Sequence, residues 1–373
     1  MSDHGGNIYA ASRKTGIPLS QILDFSASIN PLGVPKRAAL LMKEHINRLH
    51  HYPEPYSEGL AAHIGKQLGC GGETIVCGNG STELIYLIPR ALRPARVLIP
   101  APTFGEYEKA CSSSGASEVV SYRLRHEDAF DVDPELFIEA MSGRPAGSGP
   151  ASRLRTPEGR EPCRMAFLCN PNNPTGRLIS KKEVLRIADA AGSLSCYLVV
   201  DEAFIDFCPA GSVVAEVAGN PYLIVLRSLT KFYALSGIRI GYGVFYPSVA
   251  EKIRACKEPW TVNSLAQCAG VAVLEDTAYQ KASRETMERE KSFVETGFKK
   301  MGIPFIPSTA NYYLLRVEHG AAKTAAALEQ KGILVRNCES FVGLDGTYIR
   351  VAVRSRAENE RLLKEMADIC AGS

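Results

Sequence analysis

The chain has 373 residues, of which 45% are hydrophobic and 22% charged, with a formal net charge of +3. These values are ordinary for a globular protein, and no basic stripe interleaved with aromatic residues predicts a nucleic-acid partner. No apolar run is long enough to span a bilayer or to form a signal peptide. The 11 cysteines are scattered, without the CxxC spacing of zinc sites. We therefore expect a cytoplasmic protein with reduced thiols and without metal, nucleic acid or membrane as partner.

Apolar runs that read as strands alternate with helical segments through much of the chain. Residues 74–92 and 95–115 each read as a strand, a turn and a helix, and the runs 164–169, 196–201 and 222–228 end in polar residues. This alternation predicts an α/β fold with a mostly parallel sheet and helices on both faces. In such sheets ligands bind beyond the carboxyl ends of the strands. The polar residues that follow these runs are therefore the candidate site.

The pattern changes in the C-terminal third, where long helical stretches precede short strands with a period of two. We expect residues 261–373 to form a linking helix and a small α+β domain, and residues 46–260 to form the large domain. The N-terminal segment, residues 1–45, is expected to pack on the small domain. Residues 142–162 are rich in Gly, Pro, Ser and Arg, which predicts a mobile surface insertion without chemistry.

Lys231 follows an apolar run and precedes an aromatic stretch. Alone it would read as an ordinary solvent-exposed lysine, the usual state of this residue type. Ser228 and Thr230 lie just before it, however, and Arg239 lies eight residues after it. Two hydroxyls, an arginine and a lysine suit an anionic phosphate beside a reactive amine. Lys231 is therefore the candidate nucleophile.

The loop "GNGSTE", residues 78–83, lies between a predicted strand and a predicted helix. It is not a Walker A loop, because no Gly-Lys-Ser/Thr follows, and it lacks the third glycine of a dinucleotide fingerprint. Its backbone N–H groups at a helix start would still suit a single phosphate. The alternative is an ordinary glycine turn with a Ser/Thr cap.

Asp201 ends the apolar run in "LVVDEAFIDF". A carboxylate at the end of a buried strand is costly unless a cation meets it, and a protonated pyridine nitrogen would be such a cation. Asn173, in the rigid turn "NPNNPTG", presents an amide at another strand end, although that motif alone could be only a turn. A phosphate cup, an acid for a ring nitrogen and a reactive lysine together indicate pyridoxal phosphate.

The motifs "NPNNPTG", "DEAF" and "SLTKFYALSGIRIGY" resemble those of the fold-type-I pyridoxal-phosphate enzymes of the aspartate aminotransferase superfamily. The resemblance covers essentially the whole chain except residues 142–162, and it makes the large domain the cofactor-binding one. It implies that Lys231 binds the cofactor covalently, that Asp201 holds the ring nitrogen and that Asn173 holds the ring hydroxyl. The other implied cofactor contacts are Gly80, Ser81, Thr82, Ser228, Thr230 and Arg239 at the phosphate and Phe104 and Phe204 at the ring.

Tyr52, in "HHYPEPYSEGL", resembles the tyrosine that reaches the cofactor phosphate from the other subunit in these enzymes. The resemblance therefore implies a homodimer with shared active sites. A non-catalytic pyridoxal-binding effector domain is the alternative from another class of protein. Such regulators carry an added DNA-binding segment, and no part of this sequence reads as one.

Within the superfamily, the chain resembles two groups, the histidinol-phosphate aminotransferases and the threonine-phosphate decarboxylases. The opening "HGGN" and Phe204 in "DEAF" favour the second group, because the aminotransferases usually carry a tyrosine at the latter position. The implied reaction is decarboxylation of L-threonine O-3-phosphate to (R)-1-aminopropan-2-yl phosphate in cobalamin biosynthesis. Histidinol-phosphate aminotransferase activity, or decarboxylation of L-serine O-phosphate, stays open as an alternative.

A phosphorylated amino acid carries two anionic groups, so two cationic clamps are expected. By resemblance Arg350 binds the substrate carboxylate, and Arg336 is then the candidate for the substrate phosphate, although both could form ordinary salt bridges on an exposed face. We also expect substrate contacts from His4, Asn30 and Asn173. Lys231 is expected to return a proton to Cα after carbon dioxide leaves.

Overall fold

The computed structural model describes residues 5–115, 118–144 and 161–371. His4 and most of the predicted insertion at 142–162 lie outside these residues. The described strands are β1 (Leu23–Asp24), β2 (Ile75–Gly78), β3 (Arg96–Ala101), β4 (Glu118–Arg123), β5 (Met165–Cys169), β6 (Tyr197–Asp201), β7 (Leu223–Ser228), β8 (Gly241–Val244), β9 (Tyr312–Arg316), β10 (Ile333–Leu334), β11 (Arg336–Asn337) and β12 (Tyr348–Ala352).

Helices connect and cover these strands. They are α1 (Ile8–Thr15), α2 (Lys36–His45), α3 (Glu58–Leu68), α4 (Ser81–Leu92), α5 (Glu106–Ser113), α6 (Pro134–Met141), α7 (Lys181–Ser193), α8 (Pro247–Ala255), α9 (Ser264–Leu274), α10 (Thr277–Lys300), α11 (Ala321–Gln330) and α12 (Arg356–Ala371). None of the described helices is both long and apolar enough to cross a membrane. Likewise, no three His, Cys, Asp or Glu side chains in the described part are grouped as metal ligands would be.

Seven strands form the main sheet, in the order β2-β8-β7-β6-β5-β3-β4. All neighbours are parallel except at β8, which is antiparallel to both β2 and β7. The predicted α/β fold class with a mostly parallel sheet is therefore confirmed. Because β5, β6 and β7 are parallel neighbours, their carboxyl ends open on one edge of the sheet, where a ligand site is expected.

The central strands are apolar on both faces because helices cover both sides of the sheet. Phe167 and Val199 belong to one buried cluster, whereas their chain neighbours Leu168 and Val200 belong to the other. This alternation follows from the period of two along a strand. Two of these strands end in polar residues of the candidate site, β6 in Asp201 and β7 in Ser228.

Strand β8 could not be recognised in the sequence because it reads "GYGV", and glycine is disfavoured in strands. Both glycines are needed for space. A Cβ on Gly243 would lie 2.4 Å from the Phe245 ring, and one on Gly241 would lie 2.5 Å from the backbone nitrogen of Ser81. The start of α4 can therefore approach the sheet closely, which positions the predicted phosphate loop.

The C-terminal region contributes a second, antiparallel sheet in the order β11-β12-β9. Residues 332–338, which belong to the short strands expected in the C-terminal third, form two strands instead of one. The first, β10, pairs in parallel with β1 from the N-terminal segment, and the second, β11, pairs with β12. The part of the N-terminal segment from β1 to Asn30 thus reaches both regions: the Phe25 carbonyl accepts from the backbone N–H of Ala352 on β12, and the Asn30 N–H donates to the Lys231 carbonyl.

Candidate active site

The strand ends of the main sheet, the N-terminal segment and the antiparallel sheet enclose a cavity of about 430 Å³. Residues predicted separately along the chain meet around it. Those that line the cavity are Ser81, Thr82, Phe104, Asn173, Asp201, Phe204, Ser228, Thr230, Lys231, Arg239, Arg336 and Arg350.

Lys231 lies in the turn after β7, half-buried at the cavity wall. Loss of hydration, with further contributions from Arg350 and Arg239, lowers the pKa of its amine from 10.5 to about 8. Near neutral pH a much larger share of this amine is therefore unprotonated than in an ordinary lysine. An unprotonated amine is the form that can attack a carbonyl carbon.

The start of α4 forms one end of the cavity and presents free backbone N–H groups. Gly80 precedes it with φ of 76°, and a Cβ at this glycine would lie 2.5 Å from the Arg239 guanidinium. Opposite, the hydroxyls of Ser228 and Thr230 are hydrogen-bonded to each other at 2.7 Å. Helix N–H groups, hydroxyls and a guanidinium together suit a phosphate monoester.

Asp201 ends β6 with only 3% of its surface exposed. The Tyr107 hydroxyl donates to its Oδ2 at 2.7 Å, and the backbone N–H of Ala203 donates to its Oδ1 at 3.0 Å. Burial nevertheless raises the pKa of this carboxyl from 3.8 to about 6. A cationic group in the cavity would stabilise the charged form.

Arg350 projects from β12 and is 7% exposed. Its Nη2 donates to the carbonyl oxygen of Ser26 at 2.6 Å and its Nη1 donates to Oδ1 of Asn173. Its Cζ lies 5.1 Å from the centre of the Tyr312 ring. The Nε–H has no protein partner, so a buried donor remains for an anionic ligand.

Arg336 lies on β11 directly opposite Arg350 in the antiparallel register. Its Nη2 is 2.9 Å from the Ser340 hydroxyl, and its Cζ is 5.5 Å from the centre of the Phe341 ring. Side chains of directly opposed residues project from the same face of a sheet. Two guanidinium groups therefore border the cavity from one side, which would strongly favour a ligand with two negative charges.

Phe204 lines the cavity and offers it no polar atom. Its ring meets that of Tyr312 edge to face, with 4.9 Å between ring centres. The Tyr312 hydroxyl does not replace the missing phenol, because it donates to the backbone oxygen of Asn172 at 2.8 Å. This wall of the cavity is therefore apolar.

Several predicted site residues lie away from the cavity lining. Gly80 shapes the cavity only through the space that it leaves for Arg239. The Asn30 amide donates to the Phe232 carbonyl and the Ser283 hydroxyl, and its backbone N–H donates to the Lys231 carbonyl at 3.1 Å. Its polar atoms are thus engaged by the protein. Tyr52 is 83% exposed on the surface, and His4 lies outside the described residues.

Tyr107 and Ser28 are among the lining residues that the sequence analysis did not single out. Tyr107 lies in the first turn of α5, three positions after Phe104 in "APTFGEY", so its place beside a predicted ring contact could have marked it. Ser28 is 2% exposed and its hydroxyl has no protein partner. It lies two positions from Ser26 and from Asn30, which contact Arg350 and the Lys231 loop. No motif in the sequence marks it.

Comparison with known proteins gives the family. The model of the family "Aminotransferase class I and II" matches residues 20–366. The threonine-phosphate decarboxylase of Salmonella typhimurium is 37% identical, over 100% of this chain and 97% of its own length.

The solved structures that resemble this fold include one aminotransferase and one decarboxylase. The histidinol-phosphate aminotransferase of Clostridium acetobutylicum has a TM-score of 0.84 at 30% identity and covers 94% of this chain and 100% of its own. The L-threonine-O-3-phosphate decarboxylase of Porphyromonas gingivalis has a TM-score of 0.78 at 27% identity, with the same coverage. The predicted resemblance to the aminotransferase superfamily is confirmed, and the chain belongs to the aminotransferase class I and II family.

Proposed function

We propose that the cavity binds pyridoxal phosphate. Three features of this chain fit the group: the α4 start with the Arg239 guanidinium, the buried Asp201 carboxyl and the lowered pKa of Lys231. Ser81, Thr82, Ser228 and Thr230 would hold the phosphate with Arg239, Asn173 would hold the ring hydroxyl and Phe104 would cover the ring. When bound, pyridoxal phosphate supplies an electron-withdrawing ring that accepts the electron pair left at the substrate Cα.

The substrate that we propose is L-threonine O-3-phosphate, which loses its carboxylate as carbon dioxide and gives (R)-1-aminopropan-2-yl phosphate. The observation that carries this proposal is the pair of opposed arginines, Arg336 and Arg350, at the same cavity as Lys231. The name of the Salmonella relative supports the same reaction. A reaction of this kind would serve cobalamin biosynthesis.

Each side chain has a defined part in this reaction. Arg350 binds the substrate carboxylate through its Nε–H, and Arg336 binds the substrate phosphate. Asp201, when ionised, would hold the ring nitrogen of bound pyridoxal phosphate in its protonated form. After carbon dioxide leaves, the Lys231 ammonium donates a proton to Cα, so that hydrogen replaces the carboxylate and the substrate nitrogen stays in the product.

The test compares two reactions of the same enzyme in separate mixtures. Purified holoenzyme is incubated with L-threonine O-3-phosphate while carbon dioxide is measured, and separately with histidinol phosphate and 2-oxoglutarate while glutamate is measured. We expect carbon dioxide from the first mixture and little glutamate from the second. Glutamate from the second mixture without carbon dioxide from the first would contradict our proposal and indicate a histidinol-phosphate aminotransferase. L-serine O-phosphate belongs in the same assay, because one methyl group is worth only about 1 kcal/mol.

Phe204→Tyr tests why this wall of the cavity is apolar. The aminotransferases that this chain resembles usually carry a tyrosine here, and the added hydroxyl could offer the ring oxygen of the cofactor a hydrogen bond of about 1 kcal/mol. We expect an altered absorbance of the bound cofactor, about fivefold slower decarboxylation and more transfer of nitrogen to the cofactor as a side reaction. If the absorbance, the decarboxylation rate and the side reaction are all unchanged, Phe204 only packs in the cavity wall and does not affect the reaction.

The lowered pKa of Lys231 predicts how the apoenzyme captures pyridoxal phosphate at different pH values. The amine must be neutral to react, so the capture rate should rise about tenfold per pH unit and level off near pH 8, where the pKa lies. Stopped-flow absorbance measures this rate. A rate that still rises tenfold in the next pH unit would indicate an ordinary lysine.

We further propose a homodimer in which Tyr52 reaches the partner's cofactor phosphate. Tyr52 and Trp260 are both exposed, with ring centres 5.3 Å apart. The exposed apolar side chains of Leu40 and Leu49 belong to neighbouring segments of the chain. Exposed aromatic and aliphatic groups of this size are typical of a protein interface.

A further inference from the structure

Tyr107 connects three parts of the candidate site. Its side chain is fully buried on α5, and its ring stacks on that of Phe167 from β5, with centres 4.9 Å apart and planes 17° apart. It also meets Phe104 edge to face at 5.6 Å. Its hydroxyl donates to Oδ2 of Asp201 at 2.7 Å. The same side chain therefore touches the residue proposed to cover the cofactor ring and the residue proposed to hold the ring nitrogen.

The two oxygens of Asp201 are served by one donor each. Oδ1 accepts the backbone N–H of Ala203, which any residue at that position except proline would provide. Oδ2 accepts a hydrogen bond from the Tyr107 hydroxyl. Of the two donors, this is the one that a side-chain substitution can remove. A hydrogen bond to the charged form of an acid favours that form and also fixes the plane of the carboxylate.

The surroundings of Asp201 oppose its ionisation. Burial raises its pKa, the Tyr107 hydroxyl lowers it and the adjacent Glu202 raises it again. The other titratable groups that face it are Cys169 on β5 and Tyr312 on β9, both with raised pKa values and therefore neutral near pH 7. Tyr107 is thus the side chain that counteracts burial.

We propose that Tyr107 is a positioning residue that keeps Asp201 ionised and oriented toward the ring nitrogen of the cofactor. The proposal rests on the proposed cofactor. Tyr107 does not take part in bond making, and it acts only through Asp201.

The experiment compares two ligands on the apoenzyme: pyridoxal phosphate, and its 1-deaza analogue, in which carbon replaces the ring nitrogen. We expect Tyr107→Phe to bind pyridoxal phosphate about tenfold more weakly than the wild type does, as for loss of one hydrogen bond to a charged group. It should bind the deaza analogue as the wild type does. The fall in pyridoxal-phosphate affinity at acid pH should also begin about one pH unit higher in the variant.

Tyr122→Phe is the matched control. Tyr122 is also fully buried, meets Phe137 edge to face at 5.2 Å and places its hydroxyl 3.3 Å from the Asp133 carbonyl oxygen, outside the cavity lining. It should leave the affinities for both ligands unchanged. If Tyr107→Phe does not fold, 3-fluorotyrosine is placed only at position 107, where it makes the phenol a stronger hydrogen-bond donor. The fall in pyridoxal-phosphate affinity at acid pH should then begin at a lower pH than in the wild type.

The outcomes separate the two proposals. Wild-type protein that binds neither ligand would overturn the proposed function. Wild-type protein that binds pyridoxal phosphate and releases carbon dioxide, with a Tyr107→Phe variant that loses affinity for both ligands equally or for neither, would overturn the role of Tyr107 alone. With 3-fluorotyrosine at position 107, an unchanged pH for the fall in pyridoxal-phosphate affinity would also overturn the role of Tyr107.

Discussion

Lys231→Ala is expected to lower the rate of carbon dioxide release by about 10⁴-fold or more, because the variant loses the amine that we propose both to attack the cofactor and to return a proton to Cα. The cofactor should still bind through the phosphate cradle, but it should be removed by gel filtration, since it is no longer attached covalently. Mass spectrometry after borohydride reduction measures that attachment, and a radiochemical carbon dioxide assay measures the rate.

Stability distinguishes this effect from misfolding. Lys231 is held near Arg350 and Arg239, which together with burial lower its pKa, so its removal should not lower the unfolding temperature of the apoenzyme. Lys252→Ala removes an exposed lysine of α8 and should leave activity and attachment unchanged. Activity retained by Lys231→Ala to within about tenfold would rule out Lys231 as the attacking amine.

Arg350→Lys is expected to reduce kcat/KM for L-threonine O-3-phosphate by about 100-fold, although the positive charge is kept. The guanidinium presents several donors in a fixed plane, and an ammonium cannot reproduce them. Here Nη1 and Nη2 are engaged by Asn173 and Ser26, which leaves Nε–H as the donor that we propose for the carboxylate. The product lacks a carboxylate, so its inhibition constant should change little.

Arg354→Lys is the control for this variant. Arg354 lies four positions further along the chain and pairs with Glu358 at 2.7 Å, and an ion pair of this i,i+4 kind contributes only about 0.5 kcal/mol. Kinetics should therefore be unchanged. If Arg350→Lys weakens product and substrate binding equally, Arg350 does not act on the carboxylate.

The sequence predicts most of the main sheet because its central strands carry a strong local signal. The runs around β5, β6 and β7 are largely apolar and end at Cys169, Asp201 and Ser228, all of which line the cavity. Side chains at strand ends are positioned by a rigid sheet, so the grouping of Asp201 with Lys231 follows from the fold class alone.

The remaining features depend on contacts between distant parts of the chain. Strand β8 is not recognisable in the sequence because it contains Gly241 and Gly243. Each glycine leaves space for a neighbouring group that contacts it only in the folded chain. Asn30 lies in a conspicuous turn, yet its amide NH2 already donates to the Phe232 carbonyl and the Ser283 hydroxyl. Ser28, which has no local signal, is the residue of that segment with an unpartnered hydroxyl at the cavity.

The fate of the substrate carboxylate tests the proposed function most directly. L-Threonine O-3-phosphate labelled with ¹³C at the carboxylate is turned over by the holoenzyme in D₂O and followed by NMR and mass spectrometry. We expect labelled bicarbonate and aminopropyl phosphate in equal amounts, with one deuterium on the carbon that carried the carboxylate. Label retained in a 2-oxo acid, with nitrogen transferred to the cofactor, would show a transaminating enzyme and contradict the proposed function.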